Sequence, residues 1–216
     1  MASQEVFLKE VRLANGYLFK PYNKANSRGE LKYRGTFLFP PGSEQDKLCQ
    51  QAIMKVAAEE FGENWAKIVA AMESSKKCLR QGDTAIDNAG NVREGFAGMK
   101  YVSSANKDKP LVIGPRKNAQ GKFDPLDPSG GKPYNGCIVT AKIEIVAMKA
   151  FEDAPNNIYA KLLTVQYVRD SERFKGGASA PSADGFDEVE GAEEVATVGS
   201  DDPFATSDDP LAGLGL

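Results

Sequence analysis

The segment from Cys137 to Met148 limits the possible folds more than any other part of this chain. Every second residue in it is apolar, which is the pattern of a β-strand that buries one face. These apolar positions are Val139, Ala141, Ile143, Ile145 and Ala147. A second β-like segment, Ile158 to Arg169, follows after the polar residues 152–157, which suit a hairpin connection. The chain is therefore expected to contain a long β-hairpin and to be mainly β.

Two further strands are predicted nearer the N-terminus. The first covers residues 6–13 and resumes at 17–19, after the turn pair Asn15-Gly16, so we expect a strand with a bend. The second covers residues 31–39, where apolar and basic side chains alternate. Both strands are expected to present one face to the core.

The middle of the chain alternates short β-like segments with glycine-rich connections. The β-like segments are residues 76–80, 96–103 and 111–114. Residues 115–136 contain so many glycines and prolines that we expect a long surface loop there. Long loops of this kind often carry function.

Helical spacing of apolar residues appears between the second and third strands, at about 43–73. Ser43 is placed to cap a first helix, Gly62 to end it, and Asn64 to cap a second. The apolar positions repeat every three or four residues, as in helices that pack one face on a core. They are Leu48, Ala52, Ile53, Val56 and Ala57 in the first helix, and Trp65, Ile68, Val69 and Met72 in the second.

The order of these elements favours one fold class. About five principal strands with a helical insertion between the second and third are best accommodated by a small Greek-key β-barrel of the OB type. We therefore predict a mainly β OB-fold, with Phe37, Phe39, Trp65 and Phe151 in its core.

The composition changes after Lys175. Residues 176–216 contain ten acidic and no basic residues, whereas residues 1–175 contain 27 basic and 20 acidic residues, a net charge of +7. The last 41 residues also contain few large apolar side chains, so we predict a folded domain over 1–175 and a disordered acidic tail over 176–216. Two tail units join an acid pair to a proline and an apolar residue, namely Asp201-Asp202-Pro203-Phe204 and Asp208-Asp209-Pro210-Leu211.

Several classes of function are disfavoured by composition. The chain has no histidine, which removes Ser-His-Asp, Cys-His and histidine-metal chemistry. Its three cysteines, Cys49, Cys78 and Cys137, are too far apart for a CxxC zinc site and odd in number for a disulfide framework. The N-terminal residues do not form a signal peptide, and no segment is apolar enough to span a membrane. We expect a cytoplasmic protein without cofactor, metal or membrane partner.

The interleaving of basic and aromatic residues in the body is typical of proteins that hold single-stranded nucleic acid. Basic groups follow the phosphates in such proteins, and aromatic rings stack on the bases. An isolated aromatic residue more often belongs to the core, so clusters carry the prediction. The candidate DNA-binding residues are Tyr22, Lys32, Tyr33, Arg34, Lys77, Arg80, Arg93, Phe96, Lys100, Tyr101, Arg116, Lys117, Tyr134 and Lys142.

The order of several short motifs resembles the single-stranded DNA-binding proteins of tailed bacteriophages. The resemblance covers roughly residues 5–170, and the acidic tail matches in character. The motifs are Val11-Arg12-Leu13, Tyr17-Leu18-Phe19-Lys20-Pro21-Tyr22, Lys32-Tyr33-Arg34-Gly35-Thr36-Phe37-Leu38-Phe39-Pro40, Arg80-Gln81-Gly82-Asp83, Phe96-Ala97-Gly98-Met99-Lys100-Tyr101 and Tyr134-Asn135-Gly136-Cys137. The resemblance implies an OB-fold, DNA binding in phage replication or recombination, and an infected bacterial cell as its location.

The acidic tail is expected to have two roles. An apolar anchor flanked by acids suits a basic groove on another protein, and the resemblance implies that the partner is a replication or recombination protein such as a polymerase, helicase or recombinase. The same acids can occupy the body's own DNA groove, so we also expect duplex DNA to bind once the tail is removed. The predicted partner-binding residues are Asp201, Asp202, Phe204, Asp208, Asp209 and Leu211.

Two other classes of function stay open at this point. A protein-interaction module, either a virion component or an inhibitor that mimics DNA, would use the tail and ignore DNA. A metal-dependent nuclease would need loop carboxylates, for which Asp83 with Asp87, or Asp124 with Asp127, are the candidates. The leading prediction is a non-enzymatic, sequence-independent single-stranded DNA-binding protein.

Overall fold

The computed structural model describes residues 1–22, 30–152 and 154–174. In these residues eight strands form one sheet. The strands are β1 (Ala2–Tyr22), β2 (Lys32–Phe39), β3 (Leu79–Gln81), β4 (Lys100–Asn106), β5 (Leu111–Lys117), β6 (Phe123–Pro125), β7 (Ile138–Met148) and β8 (Asn157–Arg169). Two helices, α1 (Glu44–Phe61) and α2 (Trp65–Ala71), stand between β2 and β3, where the insertion was predicted.

Five of the strands close into a barrel. β1 pairs antiparallel with β2 and β7, β2 with β4, and β7 with β8. A parallel pairing of Ser104 in β4 with Ala160 in β8 completes the circle. The side-chain amide of Asn106 also donates a hydrogen bond to the Leu162 carbonyl across this seam, at 3.1 Å. This strand order confirms the predicted Greek-key OB barrel.

β1 serves two partners because it bends. Its first half pairs with β7 and its second half with β2, with register shifts between Leu8 and Val11 and between Ala14 and Tyr17. Glu10 and Asn15 have φ angles of 50° and 49° at these bends. The predicted bend at Asn15 is therefore a bulge within one continuous strand, and the strand is longer at both ends than predicted.

The barrel interior is filled by the alternating side chains of its strands, including Ile143 and Ile145 of β7 and Phe37 and Phe39 of β2, all fully buried. α1 covers β1 and β7 and adds Val56 to the same core. Its ends follow the sequence signals: the Ser43 hydroxyl accepts a hydrogen bond from the Asp46 amide, and Gly62 ends the helix with φ 70°.

Three expectations about local structure were wrong. Asn64 precedes α2, but its side chain makes no capping hydrogen bond. Phe151 is 71% exposed, because the β7–β8 turn that carries it projects from the barrel. Residues 115–136 are not one irregular loop, since β5 continues through Pro115 to Lys117 and pairs with β6. Residues 118–121 form the turn between these two strands. Trp65 was also predicted in the core; it packs on the core but is only partly buried.

A second, smaller apolar cluster lies on the outer face of the barrel. Because β1, β2 and β4 pair in register, Leu38 and Tyr101 stand side by side on the outside, with Ala14 nearby. The segment of residues 82–99 folds over them and contributes Phe96. This segment therefore covers Leu38 and Tyr101 on the outer face.

The three cysteines are buried, and none of them forms a disulfide. In the described part of the chain neither helix has the length and apolar content needed to cross a bilayer. The predicted disordered tail, with its candidate partner-binding residues, lies outside the described residues.

Candidate nucleic-acid interface

A groove of about 610 Å³ lies at the outer face of the barrel and is lined by β2, β4, β8 and residues 75–80. Six basic side chains line it: Lys32, Arg34, Lys77, Arg80, Lys107 and Lys161. Asp108 is the one acidic residue among the lining residues that the structure describes. Four of the six were predicted as DNA-binding residues, from segments far apart in the sequence.

Alternation along β2 explains two of these positions. Phe37 and Phe39 point into the barrel. Lys32 and Arg34 are an odd number of positions from them, so their side chains lie on the outer side. The same alternation puts Tyr33 on the interior side with Phe37, where it is partly buried. Tyr33 is thus a poorer stacking candidate than the sequence suggested.

Lys77 and Arg80 are held by a tight local turn. The Arg80 guanidinium donates to the Lys77 carbonyl at 2.7 Å and to the Ser75 carbonyl at 3.1 Å. Lys77 also forms a backbone bridge with Ile158 of β8. These contacts fix the turn against the barrel seam, so both cations enter the groove from rigid backbone.

The groove carries excess positive charge. Lys107 pairs with Glu30 at 2.7 Å and Lys161 with Glu144 at 2.8 Å. The hydrogen bonds from these lysines are the main cause of the lowered pKa values of both glutamates. Across residues 1–22, 30–152 and 154–174, no carboxylate forms an ion pair with Lys32, Arg34, Lys77 or Arg80. The four cations are therefore available to an external anion.

Two tyrosine rings stand beside these cations. Tyr17 and Tyr22 stack with ring centroids 4.2 Å apart and an interplanar angle of 10°, and they are 39% and 38% exposed. Tyr17 pairs with Arg34 in the sheet, and the Arg34 guanidinium donates to the Tyr22 carbonyl at 3.4 Å. The stacked pair is an exposed aromatic platform next to the basic groove.

Sequence reasoning found Tyr22 but missed Tyr17. Tyr17 and Tyr22 are five positions apart, so in a regular strand their rings would face opposite sides of the sheet. A register shift between them brings both to one side, and alternation alone does not reveal such a shift. Lys107 and Lys161 were also missed, because the strand pairings that bring them to the groove are distant in sequence.

Three predicted residues need correction. Phe96 and Tyr101 are 4% and 7% exposed and contact each other edge to face in the outer apolar cluster, so neither ring can receive a base in this conformation. Lys100 donates to both carboxylate oxygens of buried Asp46, at 3.0 and 2.9 Å, and its charge is neutralised there. In this structure Phe96 and Tyr101 pack the outer apolar cluster, and Lys100 forms an ion pair with a buried carboxylate.

The other predicted residues lie outside the groove. Arg116 and Lys117 are exposed near the β5–β6 turn, and Arg93 donates to a loop carbonyl. The Tyr134 hydroxyl exchanges hydrogen bonds with the Ser171 backbone. Lys142 pairs with Glu5 at 2.8 Å. The structure therefore does not bring these five residues together with the groove cations.

The loop carboxylates are used for backbone structure. Asp87 accepts hydrogen bonds from the Ala89 and Asn91 amides, and Asp127 accepts one from the Ser129 amide. The described residues contain no cluster of three potential metal ligands of the histidine, cysteine or carboxylate type. No observation therefore favours the nuclease alternative.

Comparisons with known proteins find similar proteins of bacteriophages. Residues 4–196 match the family model described as Enterobacter phage Enc34, ssDNA-binding protein. Protein p50 of Acyrthosiphon pisum secondary endosymbiont phage 1 is 33% identical over 195 residues, covering 88% of this chain and 96% of its own.

Solved structures support the fold. The single-stranded DNA-binding protein from bacteriophage Enc34 in complex with ssDNA matches with a TM-score of 0.61 at 22% identity, over 79% of this chain and 89% of that chain. Another structure of the Enc34 protein matches with a TM-score of 0.59 at 22% identity, over 85% of this chain and 90% of that chain. The fold is therefore shared over most of both chains.

Proposed function

Since the chain belongs to the Enterobacter phage Enc34 family of single-stranded DNA-binding proteins, we propose that it binds single-stranded DNA without sequence preference and catalyses no reaction. The proposed setting is phage DNA replication or recombination in the cytoplasm of the infected bacterium. The related Enc34 protein was solved in complex with ssDNA, which supports the same ligand class here.

The observation that carries this proposal is the groove with six basic and one acidic lining side chains. A single strand presents one phosphate per nucleotide, and a row of cations on rigid backbone can follow it without reading the bases. Lys32, Arg34, Lys77 and Arg80 are proposed to contact phosphates. Each contact contributes about 0.7 to the slope of the logarithm of affinity against that of salt concentration.

The stacked tyrosines supply the second part of the binding mode. Every base has a flat π-face, so stacking on Tyr17 or Tyr22 tolerates any sequence. Arg116 and Lys117 remain predicted as a further phosphate contact at the β5–β6 turn, which a longer strand would reach.

The acidic tail is proposed to dock replication proteins and to compete for the groove. The last described residues support the second role. Arg12 donates to the Glu172 carbonyl at 2.8 Å and lies 4.3 Å over the Phe174 ring, which packs on the outer apolar cluster. Phe174, the last described residue, thus packs on the same outer side of β2 on which Lys32 and Arg34 lie. A tethered acidic segment acts at an effective concentration near 1 mM.

Fluorescence anisotropy of a labelled oligothymidine tests the proposal. The double variant Arg34→Ala, Lys77→Ala should bind more weakly and lose about 1.4 from the salt slope, since two phosphate contacts are removed. Lys142→Ala is the matched control, because that lysine pairs with Glu5 away from the groove. If the wild-type protein does not bind, or if Lys142→Ala weakens binding as much as the double variant, the groove is not the site.

A further inference from the structure

An apolar slot of about 240 Å³ lies between the helical insertion and the barrel. Its lining residues are Gln50, Ile53, Met54, Trp65, Val69, Lys77, Leu79 and Ile158. Apart from the indole N–H of Trp65, only Gln50 and Lys77 bring polar groups to this lining. A mainly apolar wall with an aromatic ring and a few polar groups is the usual make-up of a small-molecule pocket.

The slot stays open because the second helix packs loosely. α2 has seven residues, and none of them is buried. Trp65 and Val69 cover the core only partly, and Met54 on α1 is 50% exposed at the same place. Apolar side chains of this size normally bury against a neighbour, so the arrangement leaves room for an apolar occupant.

The slot borders the basic groove. Lys77 and Ile158 line both the groove and the slot. A phosphate held by Lys77 would therefore place the attached nucleotide at the entrance of the slot. In a DNA strand only the base has flat, apolar faces.

We infer that this slot is a nucleobase pocket, in which one base of the bound single strand stacks on Trp65. The inference rests on the proposed function and adds a binding site on the helical insertion, which the groove residues do not include. Tryptophan offers the largest aromatic face of any side chain for such stacking.

Gln50 can contact the edge of the base. Its amide nitrogen donates to an Asp46 carboxylate oxygen at 2.7 Å, which leaves its carbonyl oxygen as an acceptor. Each of the four bases carries at least one N–H group on its edge. A single acceptor can therefore serve any of them, so the pocket remains independent of sequence.

Trp65 is the only tryptophan in the chain, and it provides the test. Oligothymidine and an abasic oligonucleotide of equal length are titrated into the full-length protein, with binding followed by anisotropy and Trp65 by its fluorescence. Oligothymidine should quench Trp65 as it binds, whereas the abasic strand should bind without quenching. If oligothymidine binds and Trp65 does not respond, the pocket is refuted while the proposed function stands. If no oligonucleotide binds, both fail.

Two variants separate the pocket from a structural role of the helix. Trp65→Ala should weaken oligothymidine binding about five- to hundredfold, the range for loss of one base stack, and leave abasic binding unchanged. Met54→Glu, at a half-exposed position, should weaken it similarly with little risk to folding. Gln51→Glu is the control, because it changes the charge equally on the side of α1 that lines a different groove, next to β1. Equal losses of oligothymidine affinity in Met54→Glu and Gln51→Glu would refute the pocket.

A further variant tests whether the tail fills the slot instead of a base. The full-length variant Phe204→Ala, Leu211→Ala should leave the Trp65 emission of the free protein unchanged. A change in that emission without DNA would show that an apolar tail residue fills the slot, and would overturn the assignment to a base.

Discussion

Tyr17 is the residue for which the structure adds most to the sequence. It is 39% exposed, stacks on Tyr22 and stands beside Arg34. We expect Tyr17→Ala to weaken single-strand binding by about 1–3 kcal/mol, because a base–aromatic stack is lost. Its free energy of unfolding should change little, since the ring is not in the core.

Anisotropy with oligothymidine and thermal unfolding together check this expectation. Phe7→Ala is the matched control, because Phe7 is a 51% exposed ring on the same strand that lies near Lys142 instead of the groove. A large loss of stability in Tyr17→Ala would mean that the tyrosine pair holds the strand and does not bind DNA.

Asp46 is a buried carboxylate whose protonation should control stability at low pH. Burial alone would raise its pKa, but hydrogen bonds from the Gly42 amide, Lys100 and Gln50 outweigh it and lower the pKa. A lowered folded-state pKa means that the ion pair stabilises the fold above about pH 4, the unfolded value. This contribution is lost as the pH falls through the lower, folded-state value.

Asp46→Asn should therefore lower the free energy of unfolding by about 3 kcal/mol at pH 7, because Lys100 loses its partner. The difference in free energy of unfolding between Asp46→Asn and the wild type should shrink below about pH 4. Urea denaturation at a series of pH values measures both effects, with the exposed residue Asp108 changed to Asn as the control. A constant difference across this range would contradict the assignment.

The helices and strands that depend on local sequence signals were predicted correctly. Period-two alternation identified β7 and β8, and Ser43 and Gly62 marked the ends of α1. The order of strands then led to the OB barrel. These signals are local because each depends on residues a few positions apart.

The outer apolar cluster was not predicted, and this explains most errors in the candidate site. Phe96 was predicted to begin a β-like segment but lies in a turn, and Tyr101 stands on the outer side of β4. Only the fold of residues 82–99 over the barrel buries both rings. Such a contact joins distant segments, so alternation and composition do not reveal it.

Gly82 should be essential to this covering segment. A Cβ atom there would clash with the Phe96 carbonyl oxygen and lie 2.7 Å from that of Met99. Both are backbone atoms, so the segment would have to shift, and we expect Gly82→Ala to cost about 1–3 kcal/mol of stability. Gly130→Ala is the control, since a Cβ atom there meets nothing within 4 Å. Equal unfolding midpoints for the two variants would show that the segment adapts freely.

For the whole molecule, the separation of charge is the dominant feature. Residues 1–175 carry a net charge of +7 and residues 176–216 a charge of -10. The tail and a DNA strand are both polyanions, so they are expected to compete for the same cations. Because DNA presents a longer array of phosphates, it should win at sufficient affinity, and the tail should mainly suppress weak binding modes.

Replacing the ten tail acids with their amides in the full-length protein tests this competition. Because a competitor tethered near 1 mM is neutralised, single-strand affinity should rise severalfold at low salt. Duplex binding should rise as well, and both differences should fade as salt screens the charges. Anisotropy with single-stranded and duplex probes at several salt concentrations measures this.

The two tail roles can be separated with the apolar anchors. Phe204→Ala with Leu211→Ala keeps every charge, so it should preserve the competition while weakening the capture of replication proteins. A tail with the same composition in scrambled order should behave in the same way. If the neutral tail leaves DNA binding unchanged at low salt, the tail does not act on the groove, and its acids serve only other partners or solubility.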